Sequence, residues 1–215
     1  MVSYKLIYFE LKGRAEVSRI LFELADQKFE DYKIKFEDWH EEKQKLPFLQ
    51  APVLEIKTEN KTYRICQSLA IQRFLAKKFA LDGKNEFEAA QADMICEQVN
   101  DLFQMLIRIY VKPNGEEKNK EVDEAMNKGI HNGLKLIQNL LDENKDGNGF
   151  LVGDSLTYAD VVLVNFYDWL RESKPAVLDK LVSLKQHYNK IRNYPIIKEH
   201  MDKNEKTRLT ILFPN

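Results

Sequence analysis

Only two cysteines, Cys66 and Cys96, occur in the 215 residues. That is too few for a disulfide framework or a cysteine-based zinc site, and a reducing, cytoplasmic setting is expected. Glycine and proline are also scarce, at eight and six residues. Together they make about 7% of the chain, against roughly 12% in an average protein, so long helices and few turns are expected. No apolar run is long. The longest uncharged stretch, Leu46 to Leu54, has nine residues, whereas roughly 20 are needed to cross a bilayer, so no membrane partner is expected. Lys5, Glu10, Lys12 and Arg14 interrupt the opening segment, and a secretory leader is not expected. Neither charge sign dominates: 33 basic and 34 acidic residues leave a net charge of −1, which argues against nucleic acid as a partner. The histidines, His40, His131, His187 and His200, are scattered without metal-ligand spacing, and no G-x-S-x-G, P-loop or G-x-G-x-x-G occurs. What is present, 44% hydrophobic and 31% charged residues, is the composition of an ordinary globular protein.

The first 80 residues read differently from the rest. Tyr4 to Phe9 is short and rich in β-formers. Ala15 to Asp26 carries Val17, Ile20, Leu21 and Leu24 at helical spacing. Phe29 to Phe36 alternates, with Tyr32, Ile34 and Phe36 on one side. Pro52 to Ile56 and Thr62 to Ile65 bracket a polar stretch as a hairpin would, and Ser68 to Phe79 is again helical. The plan is β-α-β followed by β-β-α. Residues 81–86 read as a linker on Asp82-Gly83-Lys84-Asn85. Beyond it, residues 87–215 are expected to be all-helical: Phe87 to Lys112, Glu116 to Glu143, Tyr158 to Arg171, Pro175 to Arg192, and a short segment after Pro195.

Two local patterns invite a chemical reading and receive structural ones. Thr157 with Asp160 three residues on, followed by Val161 to Val164, is a capping box and predicts a buried helix start. Asp142 to Gly147 imitates the opening of a calcium loop, but position twelve is Gly153 where a bidentate Glu is required. A solvated turn is expected there, and no metal.

The informative features lie in the first 80 residues. Their plan resembles thioredoxin, yet the segment after the first strand, Tyr8 to Glu16, contains no Cys-x-x-Cys, so exchange chemistry by the chain's own thiols is not expected. Further marks are Gly13-Arg14-Ala15-Glu16, Trp39, Lys43, Pro47-Phe48, Ala51-Pro52-Val53-Leu54-Glu55, Gln67-Ser68-Leu69-Ala70-Ile71 and Leu156 to Asp160. Taken in order, these residues resemble the sigma class of cytosolic glutathione transferases, the class that includes haematopoietic prostaglandin D synthase. The resemblance spans nearly the whole chain. It implies a thioredoxin-like α/β domain over 1–80, an all-α domain over 87–215, and a homodimer.

The resemblance also implies roles. Tyr8 would donate its hydroxyl to the glutathione thiolate, with Arg14 adding positive field. Ala51, before a cis Pro52, would pair with the cysteinyl backbone. Gln67 and Ser68 would hold the γ-glutamyl carboxylate at a helix N-terminus, where unpaired N–H groups and the dipole favour an anion. Trp39 and Lys43 would hold the glycyl end, with Gln50 near it. Asp101 of a second copy would meet the γ-glutamyl ammonium. Phe9, Leu11, Gly13 and Phe103 would line an apolar electrophile site shared between domains, with Leu209 to Phe213 as a further wall.

This chain departs from the family pattern at three places. Leu49 stands where relatives commonly carry glycine, and His40 replaces a frequent proline. Glu97, Asn100 and Asp101 occupy the stretch where prostaglandin-synthase relatives bind a divalent ion, and the change weakens the case for metal. Glutathione as co-substrate, conjugated to hydrophobic electrophiles, is the expected chemistry, with lipid-hydroperoxide peroxidase activity beside it. Isomerisation of prostaglandin H to D is the alternative reaction. A non-catalytic, crystallin-like role is the alternative of another class.

Overall fold

The computed structural model describes residues 2–110, 112–144 and 149–207. They form two compact units. One runs up to Phe79 and also takes in the last helix, from Pro195; the other runs from Ala80 to Tyr194.

The first unit is built on a four-stranded sheet in the order β2-β1-β3-β4. Its strands are β1 (Ser3–Phe9), β2 (Glu30–Ile34), β3 (Val53–Lys57) and β4 (Thr62–Cys66). β1 pairs parallel with β2 through the crossover helix α1 (Glu16–Leu24), and antiparallel with β3, which forms a hairpin with β4. Alternation along β1 sorts its side chains between two faces. Leu6 and Tyr8 cluster with Leu11 and Ala15, while Ile7 clusters with Ile34, Leu46 and Val53. Tyr4 packs on Phe22 of α1, ring centroids 5.4 Å apart. Helix α1 buries Val17, Ile20, Leu21 and Phe22, three of which come from its predicted apolar stripe. The predicted strand ending at Phe36 stops at Ile34, because Asp38 and Trp39 donate N–H bonds back to the carbonyls of Lys35 and Phe36 and turn the chain. There α2 (Trp39–Glu42) begins, a four-residue helix too short to leave a periodic signal. The unit's third helix is α3 (Ser68–Lys78).

One row of the sheet carries only charge. Lys5 lies opposite Glu30 on one side and Glu55 on the other, and Glu55 lies opposite Arg64. Lys5 meets Glu30 at 3.0 Å and Arg64 meets Glu55 at 2.7 Å. Across all four strands the signs therefore alternate.

The second unit is helical throughout its described residues, as expected. Helix α4 (Glu86–Tyr110) buries Ala92, Ile95, Cys96, Val99, Leu102, Leu106 and Ile109, a stripe at steps of three and four. α7 (Tyr158–Ser173) packs along it. The single run predicted over Glu116 to Glu143 is α5 (Glu116–Glu124) and α6 (His131–Glu143), joined through a π-type turn at Ala125–Ile130. α8 (Val182–Arg192) follows a short 3-10 turn that begins at Pro175. The capping box forms as predicted. Asp160, fully buried, accepts the backbone N–H of Thr157 at 2.8 Å and its hydroxyl at 3.0 Å. It also accepts the Leu151 N–H and bonds His187 Nε2 at 2.8 Å. These four partners fix it as an anchor of the helix start.

Helix α9 (Pro195–Lys203), the last of the expected helical segments, packs with the first unit. Ile197, His200 and Met201 are buried there, and His200 bonds Glu16 of α1 at 2.9 Å. Leu209 to Phe213 and part of the would-be calcium loop lie outside the described residues.

Candidate active site

Tyr8 sits near the end of β1, buried to 8% exposure beside Leu6, Leu11 and Ala15. The chain leaves the strand, turns through Glu10 to Lys12, and enters a single 3-10 turn at Gly13–Ala15 that leads into α1. This path brings the Arg14 backbone N–H to the Tyr8 hydroxyl oxygen at 3.1 Å. Gly13 is required there on two grounds. Its φ is +44°, in the left-handed region, and a Cβ would lie 2.7 Å from the Tyr8 hydroxyl and 2.5 Å from Leu11 Cδ1. Burial pushes the Tyr8 phenol above its ordinary pKa, against the opposing pull of the Arg14 N–H and of the Arg14 and Arg19 charges. At neutral pH Tyr8 is therefore a neutral O–H. Its oxygen already accepts from Arg14, which leaves its proton free to donate outward.

Of the other predicted residues, Phe9, Leu11 and Ala51 pack with Tyr8. Phe9 stacks on Phe36, centroids 4.9 Å apart, and meets Trp39 edge-on at 4.9 Å. Ala51 touches both the Tyr8 cluster and the cluster holding Ile7, Phe9 and Trp39. The Ala51–Pro52 bond is cis. Gln50 accepts a hydrogen bond from the Gln67 side chain at 3.4 Å. Gln67 holds φ +70° immediately before α3, a left-handed conformation unusual for its type. Ser68 opens the helix and is buried. No side chain caps the α3 N-terminus, and its first turn carries no acidic residue. Lys43 is half-buried in the turn after α2. Leu49 has φ +54° and stands half-exposed. That is the left-handed backbone glycine favours, so a leucine there is held against its own preference.

Two predicted residues lie in the second unit. Asp101 is exposed on α4, beside a cavity of about 450 Å³ lined also by Gln104, Met105, Arg108 and Lys112. Phe103 packs edge-on against Trp169 at 5.6 Å and Phe166 at 6.4 Å. Among the described residues no three His, Cys, Asp or Glu side chains converge as a ligand set.

Sequence reasoning missed Arg19. This buried residue donates to the carbonyls of Leu11 (2.8 Å), Lys12 (3.3 Å) and Phe9 (3.4 Å). It also donates to Glu16 at 3.0 Å and to Asp31 at 3.1 Å. The signal was present: an arginine and a glutamate three residues apart on a helix otherwise rich in apolar residues.

Comparison with known proteins shows the family. The model of the glutathione S-transferase N-terminal domain matches residues 4–77, and that of the C-terminal domain matches 100–204. The chain is 34% identical over 209 residues to probable glutathione S-transferase 9 of Caenorhabditis elegans, covering 96% of this chain and 99% of that one. It is 35% identical over 214 residues to hematopoietic prostaglandin D synthase of Mus musculus, covering 97% and 100%. Among solved structures, the sigma class glutathione transferase of Fasciola hepatica superposes with a TM-score of 0.84 at 28% identity, over 99% of both chains.

Proposed function

The chain belongs to the glutathione S-transferase family and is a glutathione transferase, and on that premise we propose that Tyr8 stabilises the glutathione thiolate by donating a hydrogen bond to sulfur, the thiol proton passing to solvent, for attack on hydrophobic electrophiles. One observation carries the reading: a buried, neutral Tyr8 hydroxyl whose oxygen is occupied by the Arg14 N–H. A phenol so held is oriented to give its proton in a hydrogen bond to sulfur. Arg14 supplies positive field. The uncapped α3 N-terminus with Gln67 and Ser68 suits the γ-glutamyl carboxylate. Ala51 takes the cysteinyl backbone as an added strand would, with Pro52 fixing its approach. Trp39, Lys43 and Gln50 take the glycyl end. Phe9, Gly13 and Phe103, with Leu11 behind Tyr8, serve the electrophile. We assign the chain to the sigma class and place the reaction in the cytosol, where Cys66 and Cys96, which form no disulfide, stay reduced. In a homodimer Asp101 meets the γ-glutamyl ammonium of the neighbouring copy; light scattering that finds only monomer removes Asp101 from the site.

The size of the effect limits what ionisation alone achieves. A free thiol of pKa near 8.5 is about 3% thiolate at pH 7. Lowering it by roughly two pH units, worth about 2.7 kcal/mol, raises the thiolate fraction roughly 25-fold. The accompanying loss of nucleophilicity, at a Brønsted slope near 0.45, is about eightfold. A net gain of about threefold remains, so holding thiolate and electrophile together supplies most of the rate. The test is Tyr8→Phe: the bound thiol, titrated by its thiolate absorbance, regains a pKa near that of free glutathione. An unchanged titration removes Tyr8 from the sulfur.

The 35% identity to the mouse prostaglandin D synthase favours one second reading, isomerisation of prostaglandin H. A panel of aryl halide, cumene hydroperoxide, unsaturated aldehyde and prostaglandin H, each with glutathione, separates conjugation, peroxidase and isomerase activity. Retained glutathione binding with no turnover of any would indicate a crystallin-like role.

A further inference from the structure

The turn that presents Tyr8 is not held by its own hydrogen bonds. Its one internal backbone bond runs from the Leu11 N–H to the Phe9 carbonyl, at 2.8 Å. The carbonyls of Phe9, Leu11 and Lys12 instead converge on one guanidinium, that of Arg19. The same guanidinium is also held from two further directions. Asp31 of β2 takes Nε at 3.1 Å, and Glu16, one turn back on α1, takes NH1 at 3.0 Å. Glu16 is held in turn by His200 of α9, at 2.9 Å, and the other imidazole nitrogen lies 2.9 Å from Glu23. Arg19, Glu16 and His200 are 7%, 4% and 2% exposed.

Burying so many charges is costly and adds little net stability compared with apolar packing. What such a cluster provides is direction. A guanidinium has a planar fork of five donors and can bind several carbonyls and carboxylates at fixed angles, which an ammonium cannot. The carbonyls it binds belong to the residues between Tyr8 and Gly13, and Gly13 and Arg14 set the position of the Tyr8 hydroxyl.

Resting on the reading of Tyr8 as sulfur donor, we propose that Arg19 is a positioning residue: it fixes the Phe9–Lys12 turn, and through it the Tyr8 hydroxyl. The chain Asp31–Arg19–Glu16–His200, buried except at Asp31, braces it between β2 and α9. Arg19 touches no reactant. Its whole effect on the thiol passes through Tyr8.

The test is a double-mutant cycle on the pKa of bound glutathione, read by thiolate absorbance and by the pH profile of kcat/KM. Arg19→Lys keeps the charge and loses the fork. The bound thiol pKa is expected to rise by about one, so that kcat/KM on the acidic limb falls about tenfold. Glutathione affinity is expected to change less than threefold. In the Tyr8→Phe background the same substitution is expected to leave the thiol pKa where Tyr8→Phe alone puts it, since a residue that acts through another shows no independent effect. Two results overturn the inference: Arg19→Lys leaves the pKa unmoved while Tyr8→Phe shifts it, or Arg19→Lys shifts it equally in both backgrounds. Should Tyr8→Phe itself do nothing, the Tyr8 assignment falls and takes the inference with it. If Arg19→Lys yields no folded protein, Asp31→Asn replaces it in the same cycle. That variant frees the guanidinium on the β2 side only, and a rise of the thiol pKa about half as large is expected, again abolished in Tyr8→Phe.

Discussion

Replacing His200 with glutamine tests whether α9 is clamped to the first unit by charge. His200 is 2% exposed, and burial alone would discharge it. Hydrogen bonds and charge attraction from Glu16 and Glu23 more than offset that, and hold its pKa up at about 9. In the unfolded chain the ordinary value is near 6.5. A group with a raised folded pKa stabilises the fold fully below its unfolded value and loses that contribution as pH climbs through the folded value. The window is therefore pH 6.5 to about 9. The full difference is worth about 3 kcal/mol, and Glu23 is partly hydrated, so about 2 kcal/mol is the more realistic figure. Glu16 acts in the opposite window. Its carboxyl is held below the ordinary range by His200 and Arg19 despite burial, so its contribution is lost on acidification below pH 4–5. Urea denaturation of the wild type and of His200→Gln, at matched protein concentration from pH 6 to 10, isolates the histidine, because all other titrations largely cancel in the difference. The stability gap should be largest at pH 6 and shrink by about 2 kcal/mol by pH 10. Parallel curves across that range would refute the clamp.

Two further substitutions probe the turn and the second unit. Gly13→Ala should lower kcat about tenfold with far-UV circular dichroism unchanged, since the added methyl displaces the Tyr8 hydroxyl; unchanged kcat would show the turn to be more forgiving than its geometry. Asp160→Ala should destabilise by at least about 3 kcal/mol, because it leaves His187 and the Leu151 and Thr157 N–H groups unmatched in the core. Thermal melting measures that loss, and a drop under 1 kcal/mol would mean water or rearrangement satisfies them.

Much of the local structure around the candidate site was legible because its signals are local. Tyr8 stands at the end of a strand of β-formers, and Gln67-Ser68 precedes a periodic apolar stretch. Thr157 and Asp160 are three residues apart, within reach of each other in any helix start. The specific roles came with the family pattern rather than from the residues alone. The brace was illegible because its pairings are distant. His200 reaches Glu16 across 184 positions, and no periodicity connects them. The packing of helix α9 was illegible for the same reason: its partner is α1, at the other end of the chain. Helix α2 was missed because four residues complete barely one turn. Arg19 was passed over because an arginine among apolar helix positions reads as a surface residue unless its buried partners are known.

The alternating charges that cross the sheet have a consequence for how the strands find one another. Sliding a strand by two positions keeps every side chain on its proper side, so burial alone scarcely distinguishes the error. The ionic row does distinguish it. Shifted one way, Lys5 would confront Lys28 at the β2 seam and Lys57 at the β3 seam, and Lys57 would confront Arg64 in the hairpin. Shifted the other way, Lys5 would face Tyr32 or Val53, and Arg64 would face Val53, leaving each cation without its counter-ion. Like charges set directly opposite repel, so four side chains proofread three seams at once.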